Sequence, residues 1–456
     1  MHTPQRPSLP PTTQSPTTMS SSRRRRLLVT LAVALVLVLA IIAVFAAFIF
    51  RHVDENITRS EFDLPGIDTA EDPGEMNVLI MGLDSRLDQN GEALPDDVYQ
   101  ALHAGGADDG GYNANTLILL HLPEDRSQAV GISIPRDDYV ELAGAPLGVT
   151  HGKVKEAYGL ALEQRLEELR ATGEIPDADE AYQEARAAGR QAQIETVSQL
   201  LGDVRIDHFV EVTMGGFFHI ADAVQPIEVC LNQATEDLYS GADFAAGVQQ
   251  LDAEQAMSFV RQRRDTGESG VFLTDLDRSR RQQAFLVGLA NRLRDTETLT
   301  QPKTVTSLVD ATQSSVALDA EFELLSFLKV AKEVSDHGLE FVTLPIEEFG
   351  VVDGSDVNLV DVDEIQRIVA GLLAPAEPVD ETDEADERGE ANASGEPDAD
   401  TAEGAGGGAP TASDTPDPGA HAESDGEALD DGSGPDVEVY ESWDQPIAAG
   451  AIPCVN

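Results

Sequence analysis

Arginine is scarce in this chain, and one cluster of it limits what the chain can fold into. Residues 275–293 read DLDRSRRQQAFLVGLANRL, which on a helix puts Asp275, Arg278 and Gln282 on the same face as Phe285, Leu286, Leu289 and Leu293. A guanidinium on a core-facing stripe must be paired or must line a polar pocket, because burying it alone is prohibitive. Arginine's fork of donors matches phosphate oxygens bidentately, so the stripe predicts a phosphate pocket. The plainer alternative is an internal Asp275–Arg278 pair closing the helix start, with Arg280 and Arg281 solvated outside.

Topology follows from the first 50 or so residues of the sequence. A Pro/Ser/Thr-rich segment ends in arginines 23–26, and residues 27–50 are apolar without interruption. At about 1.5 Å per residue such a run spans a bilayer of roughly 30 Å with some tilt, and it is too long for the apolar part of a signal peptide. The arginines on its leading side predict a disordered cytoplasmic tail over 1–26, a single transmembrane helix over 27–50 and an exported body in the cell membrane. Residues 51–75 read as a linker, 76–374 as one extracellular domain, 375–436 as a disordered acidic linker and 437–456 as a tail docking back on the domain. The formal charge of −53 disfavours nucleic acid as a partner. The chain's two cysteines, Cys230 and Cys454, lie outside the membrane and suggest a disulfide, against the alternative of free thiols.

Within the body, apolar runs at 76–82, 117–122, 129–134, 208–212 and 227–230 alternate with helical patterns over 154–201, 215–224 and from 252 onward, where Asp252 and Gln255 make a capping box. This alternation predicts an α/β fold with a central mixed sheet covered by helices on both faces. Polar ligands in such folds sit at strand ends, and there the chain carries Asp84 with Arg86, Arg136 with Asp138, and Arg261 with Arg263. In an ideal helix Arg261 and Arg263 would diverge by about 200°, so their convergence requires the helix to end between them. His208 and His219 read as packing residues, and no metal-ligand spacing of histidines or catalytic triad is evident.

The segments NVLIMGLDSR, NTLILLHLPED, AVGISIPRDDYVEL, GKVKEAYG, IDHFVEVTMGGFFHIADAV, LDAEQAMSFVRQRRD and TDLDRSRRQQAFL together resemble the LytR-CpsA-Psr family of cell-envelope phosphotransferases, of actinobacterial type, over roughly residues 76–295. The resemblance implies transfer of a glycopolymer phosphate from a polyprenyl-pyrophosphate carrier to peptidoglycan, with Mg2+ or another divalent cation as cofactor. It implies Asp84 as metal ligand or base with Arg86 beside it. Arg136, Lys153, Arg261, Arg263 and Arg278 become pyrophosphate clamps, and Asp275 and Gln282 the groups that orient them.

The chain departs from the family pattern at Asn115, which stands where a second metal-facing carboxylate is usual and removes one negative charge from the expected metal pair of Asp84 and Asn115. Lys155 replaces an amide after the lysine motif, and Leu160 a glycine. These departures keep open a second reading, a non-catalytic protein that binds the polyprenyl-linked glycan or regulates envelope assembly, and a variant of the first in which water is the acceptor and the activity is that of a pyrophosphatase.

Overall fold

The computed structural model describes residues 57–65, 74–125, 128–173, 177–267, 269–294, 304, 307, 315–322, 338–374, 437–440, 442, 444–448 and 450–456. The tail expected over 1–26, the span over 27–50 and the acidic linker over 375–436 lie outside them. Among the described residues no helix is long and apolar enough to cross a membrane.

In chain order the first part contains β1 (Thr58–Ser60), β2 (Met76–Leu83), α1 (Asp96–Leu102), β3 (Ala114–Leu122), β4 (Ala129–Ser133), and a hairpin of β5 (Tyr139–Glu141) and β6 (His151–Lys153). Next come α2 (Glu156–Thr172), α3 (Ala178–Leu200), β7 (His208–Val212), α4 (Met214–Val224), β8 (Ile227–Leu231), β9 (Thr235–Asp237), β10 (Ala242–Phe244), β11 (Gly247–Leu251), α5 (Ala253–Arg261) and α6 (Asp275–Arg294). The remainder is β12 (Val316–Asp319), β13 (Leu339–Thr343), β14 (Glu348–Val352), β15 (Ser355–Leu359), α7 (Val362–Leu372), β16 (Val437–Val439), β17 (Ile447–Ala448) and β18 (Ile452–Val455).

The main sheet has the order β1-β12-β7-β2-β3-β4-β13-β17. Its centre is mixed, since β2 runs antiparallel to β3 and parallel to β7. Both faces are covered, which is why β2 reads as a continuous apolar run. Leu79, Met81 and Leu83 enter a core with Tyr158 of α2, Val197 of α3 and Ile365 of α7, while Ile80 packs on the opposite core with Ala221 of α4, Phe259 of α5 and Phe285 of α6. The capping box of Asp252 and Gln255 opens α5 as expected. One boundary needs correction: β1, inside the stretch read as linker 51–75, pairs in parallel with β12 and joins the sheet.

The helical pattern read over 154–201 becomes α2 and α3, and these take part in a buried charge cluster. Glu211 of β7 is fully buried and accepts from Arg186 and Arg190 of α3, the latter at 2.9 Å, from Tyr158 at 2.9 Å and from Gln89 at 2.9 Å. Burial by itself would raise this carboxyl, but Arg190 and Arg186 draw it down to about 2. The cluster fastens α3 to the sheet.

At the C-terminus β18 lies parallel to β8 with Cys454 directly opposite Cys230, and the two are joined in a disulfide with Cα atoms 4.2 Å apart. β16 pairs with β18, so the tail extends a second sheet of order β11-β8-β18-β16 against α6. His208 does more than pack: its Nδ1 lies 3.1 Å from Asp319 of the neighbouring strand.

Candidate functional site

A cavity of about 590 Å3 opens between the sheet and helices α4, α5 and α6. Its inner wall is apolar, formed by Ile80 and Ile118 from the sheet, Phe217 and Ile220 from α4, Val260 from α5, and Phe285, Leu286 and Leu289 from the α6 stripe. Its other end is polar, and of the residues singled out in the sequence Asp84, Arg86, Asn115, Arg136, Arg261, Arg263, Arg278 and Gln282 line it. Strand ends and one helix start bring them together. Asp84 and Arg86 follow β2, Asn115 opens β3, Arg136 follows β4, and Arg278 stands in the first turn of α6.

The arginines fall into two groups by their partners. Arg136 and Arg278 share Asp275, whose Oδ1 lies 2.9 Å from Arg136 Nη2 and whose Oδ2 lies 3.1 Å from Arg278 Nη2. Asp275 is not itself among the lining residues; it works from behind. Arg278 further donates to the Asn115 backbone carbonyl at 3.1 Å, and its buried Nε has no hydrogen-bond partner among the described residues. Burial lowers this guanidinium to about 10 despite Asp275. It is still charged at neutral pH and ready for an anion.

Arg86, Arg261 and Arg263 form the second group and make no ion pair with a carboxylate among the described residues. Arg86 donates through Nε to the Ala104 carbonyl and through Nη1 to the Asp84 carbonyl at 3.3 Å. Arg261 donates to the carbonyls of Leu102 and His103 at the C-terminal end of α1. Carbonyl dipoles hold these guanidiniums without cancelling their charge. Burial and the neighbouring cations Arg86 and Arg263 lower Arg261 to about 10. Such crowding of like charge is relieved by an anion between them.

The convergence of Arg261 and Arg263 has a local cause. Helix α5 ends at Arg261, and Gln262 is extended with φ −60° and ψ 129°. Alternate residues of an extended chain face opposite sides, so the flanking arginines turn to the cavity while Gln262 turns into the protein.

Two expectations change. Lys153 does not line the cavity; Lys155 does. The Lys155 backbone is stitched between Arg136 and Ala114, which places its side chain at the cavity, and its ammonium lies 2.6 Å from Asp137. Lys153, at the end of β6, stands 3.6 Å from the same carboxylate. Arg280 and Arg281 are also not solvated. Both are buried, Arg280 against the Gln445 carbonyl and the Tyr440 ring, Arg281 against Gln262, Thr235 and Asn456.

The expected metal pair is only half suited to a cation. Asn115 Oδ1 accepts from Arg136 Nη1 at 2.7 Å, and its amide nitrogen faces Asp84 Oδ2 at 3.1 Å. Exchanging the amide's O and N would set donor against donor at Arg136, so this orientation is fixed by the guanidinium. Asn115 therefore turns its amide nitrogen, not its oxygen, toward Asp84, and its oxygen is engaged by the Arg136 guanidinium. Asp84 is also held by the Asn113 backbone N–H at 2.9 Å, and it lines the cavity without an ion-pair partner among the described residues. Among those residues no group of three or more His, Cys, Asp or Glu could hold a metal ion. Of the expected pair, Asp84 is the one that presents carboxylate oxygens to the cavity.

A cavity with unneutralised arginines at one end and aliphatic and aromatic walls beyond them defines a domain suited to an amphiphilic anion. The chain belongs to the LytR_cpsA_psr family, whose model matches residues 51–372. It is 35% identical over 310 residues to the cell wall biosynthesis protein LcpA of Corynebacterium glutamicum, covering 68% of this chain and 57% of that protein. It is 24% identical over 299 residues to the polyisoprenyl-teichoic acid–peptidoglycan teichoic acid transferase TagU of Halalkalibacterium halodurans, covering 63% of this chain and 79% of that protein. Among solved structures, Bacillus subtilis TagV matches with a TM-score of 0.45 at 18% identity, over 66% of this chain and 97% of that one. The chain thus spans less than two thirds of the length of LcpA.

Proposed function

We propose that this protein is a membrane-anchored phosphotransferase that moves a glycopolymer phosphate from a polyprenyl-pyrophosphate carrier to a hydroxyl of peptidoglycan. The observation that carries the reading is the cavity's division: a cationic end at Arg86, Arg261 and Arg263, continuous with an apolar wall that runs along α6. A polyprenyl chain is pure hydrocarbon and its head is a diphosphate, so one ligand satisfies both halves. The names of LcpA and TagU, which concern cell wall biosynthesis and teichoic acid transfer, support it.

Phosphoryl transfer requires positioning and stabilisation of charge on the transferred group more than covalent chemistry from the protein. Arg136 and Arg278, oriented by Asp275, would grip one phosphate, and Arg86, Arg261 and Arg263 the other. The acceptor oxygen attacks the glycan-bearing phosphorus, the bridging P–O bond breaks, and polyprenyl monophosphate leaves with the electron pair. Asp84, facing the cavity, is placed to take the acceptor's proton. A divalent cation such as magnesium, held by Asp84 together with phosphate oxygens, would supply further charge neutralisation. The N-terminal apolar segment would keep the domain at the membrane where the carrier lies.

The test uses the full chain in lipid nanodiscs, a synthetic polyprenyl-pyrophosphate-linked disaccharide and soluble peptidoglycan fragments. Mass spectrometry should find glycan phosphate on peptidoglycan together with polyprenyl monophosphate. Bound donor without either product would favour the binding-protein reading, and free glycan ending in a phosphate monoester, without peptidoglycan adduct, would favour water as acceptor.

A further inference from the structure

Gln262 and Arg281 touch nothing in the cavity, yet both are wholly buried between the cavity's cations and the C-terminal strand. Gln262 Oε1 accepts from Arg281 Nη1 at 2.6 Å and from Thr235 Oγ1 at 3.1 Å, and its Nε2 donates to the Arg264 carbonyl at 3.0 Å. Arg281 completes its fork by donating Nη2 to Thr235 at 3.1 Å and Nε to the Asn456 backbone oxygen at 2.7 Å, with its guanidinium 5.2 Å from the centre of the Phe259 ring. A wholly buried guanidinium is costly unless its donors are met, and this one is held at the point where the backbone between Arg261 and Arg263 is decided.

We infer that Gln262 and Arg281 are positioning residues for the diphosphate end of the donor, fixing Arg261 and Arg263 toward the cavity through a seat that the C-terminal strand completes at Asn456. The inference rests on the donor reading above. The physical link is short. Gln262 is the one residue between the two cavity arginines, and three hydrogen bonds hold its side chain on the side away from them. Without those bonds the segment is free to continue the helix by a residue, which would swing Arg263 away from Arg261 by the divergence a helix imposes. The same α6 turn carries Arg278 on its cavity face and Arg281 on its tail face, so one helix sets both clamps.

The test is calorimetric titration of the full chain in detergent with farnesyl diphosphate and farnesyl monophosphate, alongside the melting temperature of each protein. Wild type should bind the diphosphate more tightly than the monophosphate. Gln262→Ala should weaken diphosphate binding at least tenfold and shrink that preference, while monophosphate binding changes much less. Gln262→Glu, which keeps an acceptor for Arg281, should recover most of the loss, and this arm remains decisive if Gln262→Ala fails to fold. A purely structural role predicts a lowered melting temperature with an unchanged preference for the diphosphate in the folded variants, and that result would overturn the inference. Failure of the wild type to bind either ligand would overturn the donor reading itself and the inference with it.

Discussion

Asp275 and Arg278 meet across the first turn of α6 at 3.1 Å, and the same carboxylate reaches Arg136 at 2.9 Å. The internal ion pair of the plainer reading is therefore present, and the paired Arg278 lines the cavity as well. One carboxylate between two guanidiniums leaves a net positive charge facing the cavity. Arg278→Ala removes a charged donor from a partly desolvated site while Asp275 keeps Arg136 as partner. Loss of such a contact is worth roughly 1.5–3 kcal/mol, or about a tenfold to a hundredfold loss of donor affinity. Titration with a polyprenyl pyrophosphate analogue checks this, and full affinity in a folded variant would place the clamp elsewhere.

Asn115→Asp restores a second carboxylate beside Asp84, 3.1 Å from it in the present geometry. Two carboxylates at that distance repel unless a proton or a cation lies between them. Magnesium affinity should rise about tenfold or more, measured by isothermal titration. No difference between the two proteins would remove Asp84 from consideration as a metal ligand.

Glu211→Gln leaves Arg186 and Arg190 buried without a counter-charge, and breaking a buried pair in this way costs roughly 3–5 kcal/mol. The wild-type carboxyl is drawn from its ordinary 4.5 down to about 2. Because the folded value is depressed, its contribution to stability is complete above the unfolded value and is lost as pH falls from about 4.5 toward about 2. Acid titration followed by circular dichroism should show that slope in the wild type and a flatter profile in the variant. A melting temperature equal to the wild type's would contradict the buried cluster.

Asp138 has the opposite sign. It is fully buried, accepts from Asn358 at 2.9 Å, and has an Oδ2 with no hydrogen-bond partner among the described residues. Burial, with Asp137 and Asp275 nearby, raises its pKa well above the usual carboxyl range, so the folded protein retains a proton that the unfolded chain releases. Stability should therefore decline as pH rises from about 3.8 through the folded value. Asp138→Asn removes that decline, and its advantage in melting temperature should grow from pH 5 to pH 8. An offset that does not vary with pH would show that the carboxyl is ionised in the fold.

Much of this was legible in the sequence because the signals were local. The apolar run ending at Gly82, the capping box at Asp252 and the stripe through Arg278 and Phe285 each depend on a few neighbouring residues. Arg261 and Arg263 were legible as a contradiction: their convergence required a helix end, and Gln262 supplies it. What was hidden depends on partners far along the chain. Arg281 reads as a surface cation until Asn456 arrives from the C-terminal strand, and Lys153 could not be told from Lys155 without the backbone bonds that turn the second one inward. The Glu211 cluster did leave a trace. Glu211 shares its strand face with buried Phe209, and Arg186 and Arg190 lie four apart on α3 beside a row of small buried residues, Ala181, Ala185 and Gly189. A charge on an inward strand position, opposite arginines beside a row of small residues, is a pattern that finds such clusters.

The bond between Cys230 and Cys454 closes a covalent ring across a sequence separation of 224. That ring contains α5, α6 and the whole acidic stretch over 375–436. A protease cutting once anywhere inside it opens the ring without releasing either end, so the C-terminal strand stays attached beside the site. In an oxidising compartment, single nicks in the acidic stretch are thus silent on a non-reducing gel and become visible as two fragments only after thiol treatment. Any single cut between Cys230 and Cys454, the acidic stretch included, thus leaves its two pieces joined by the disulfide.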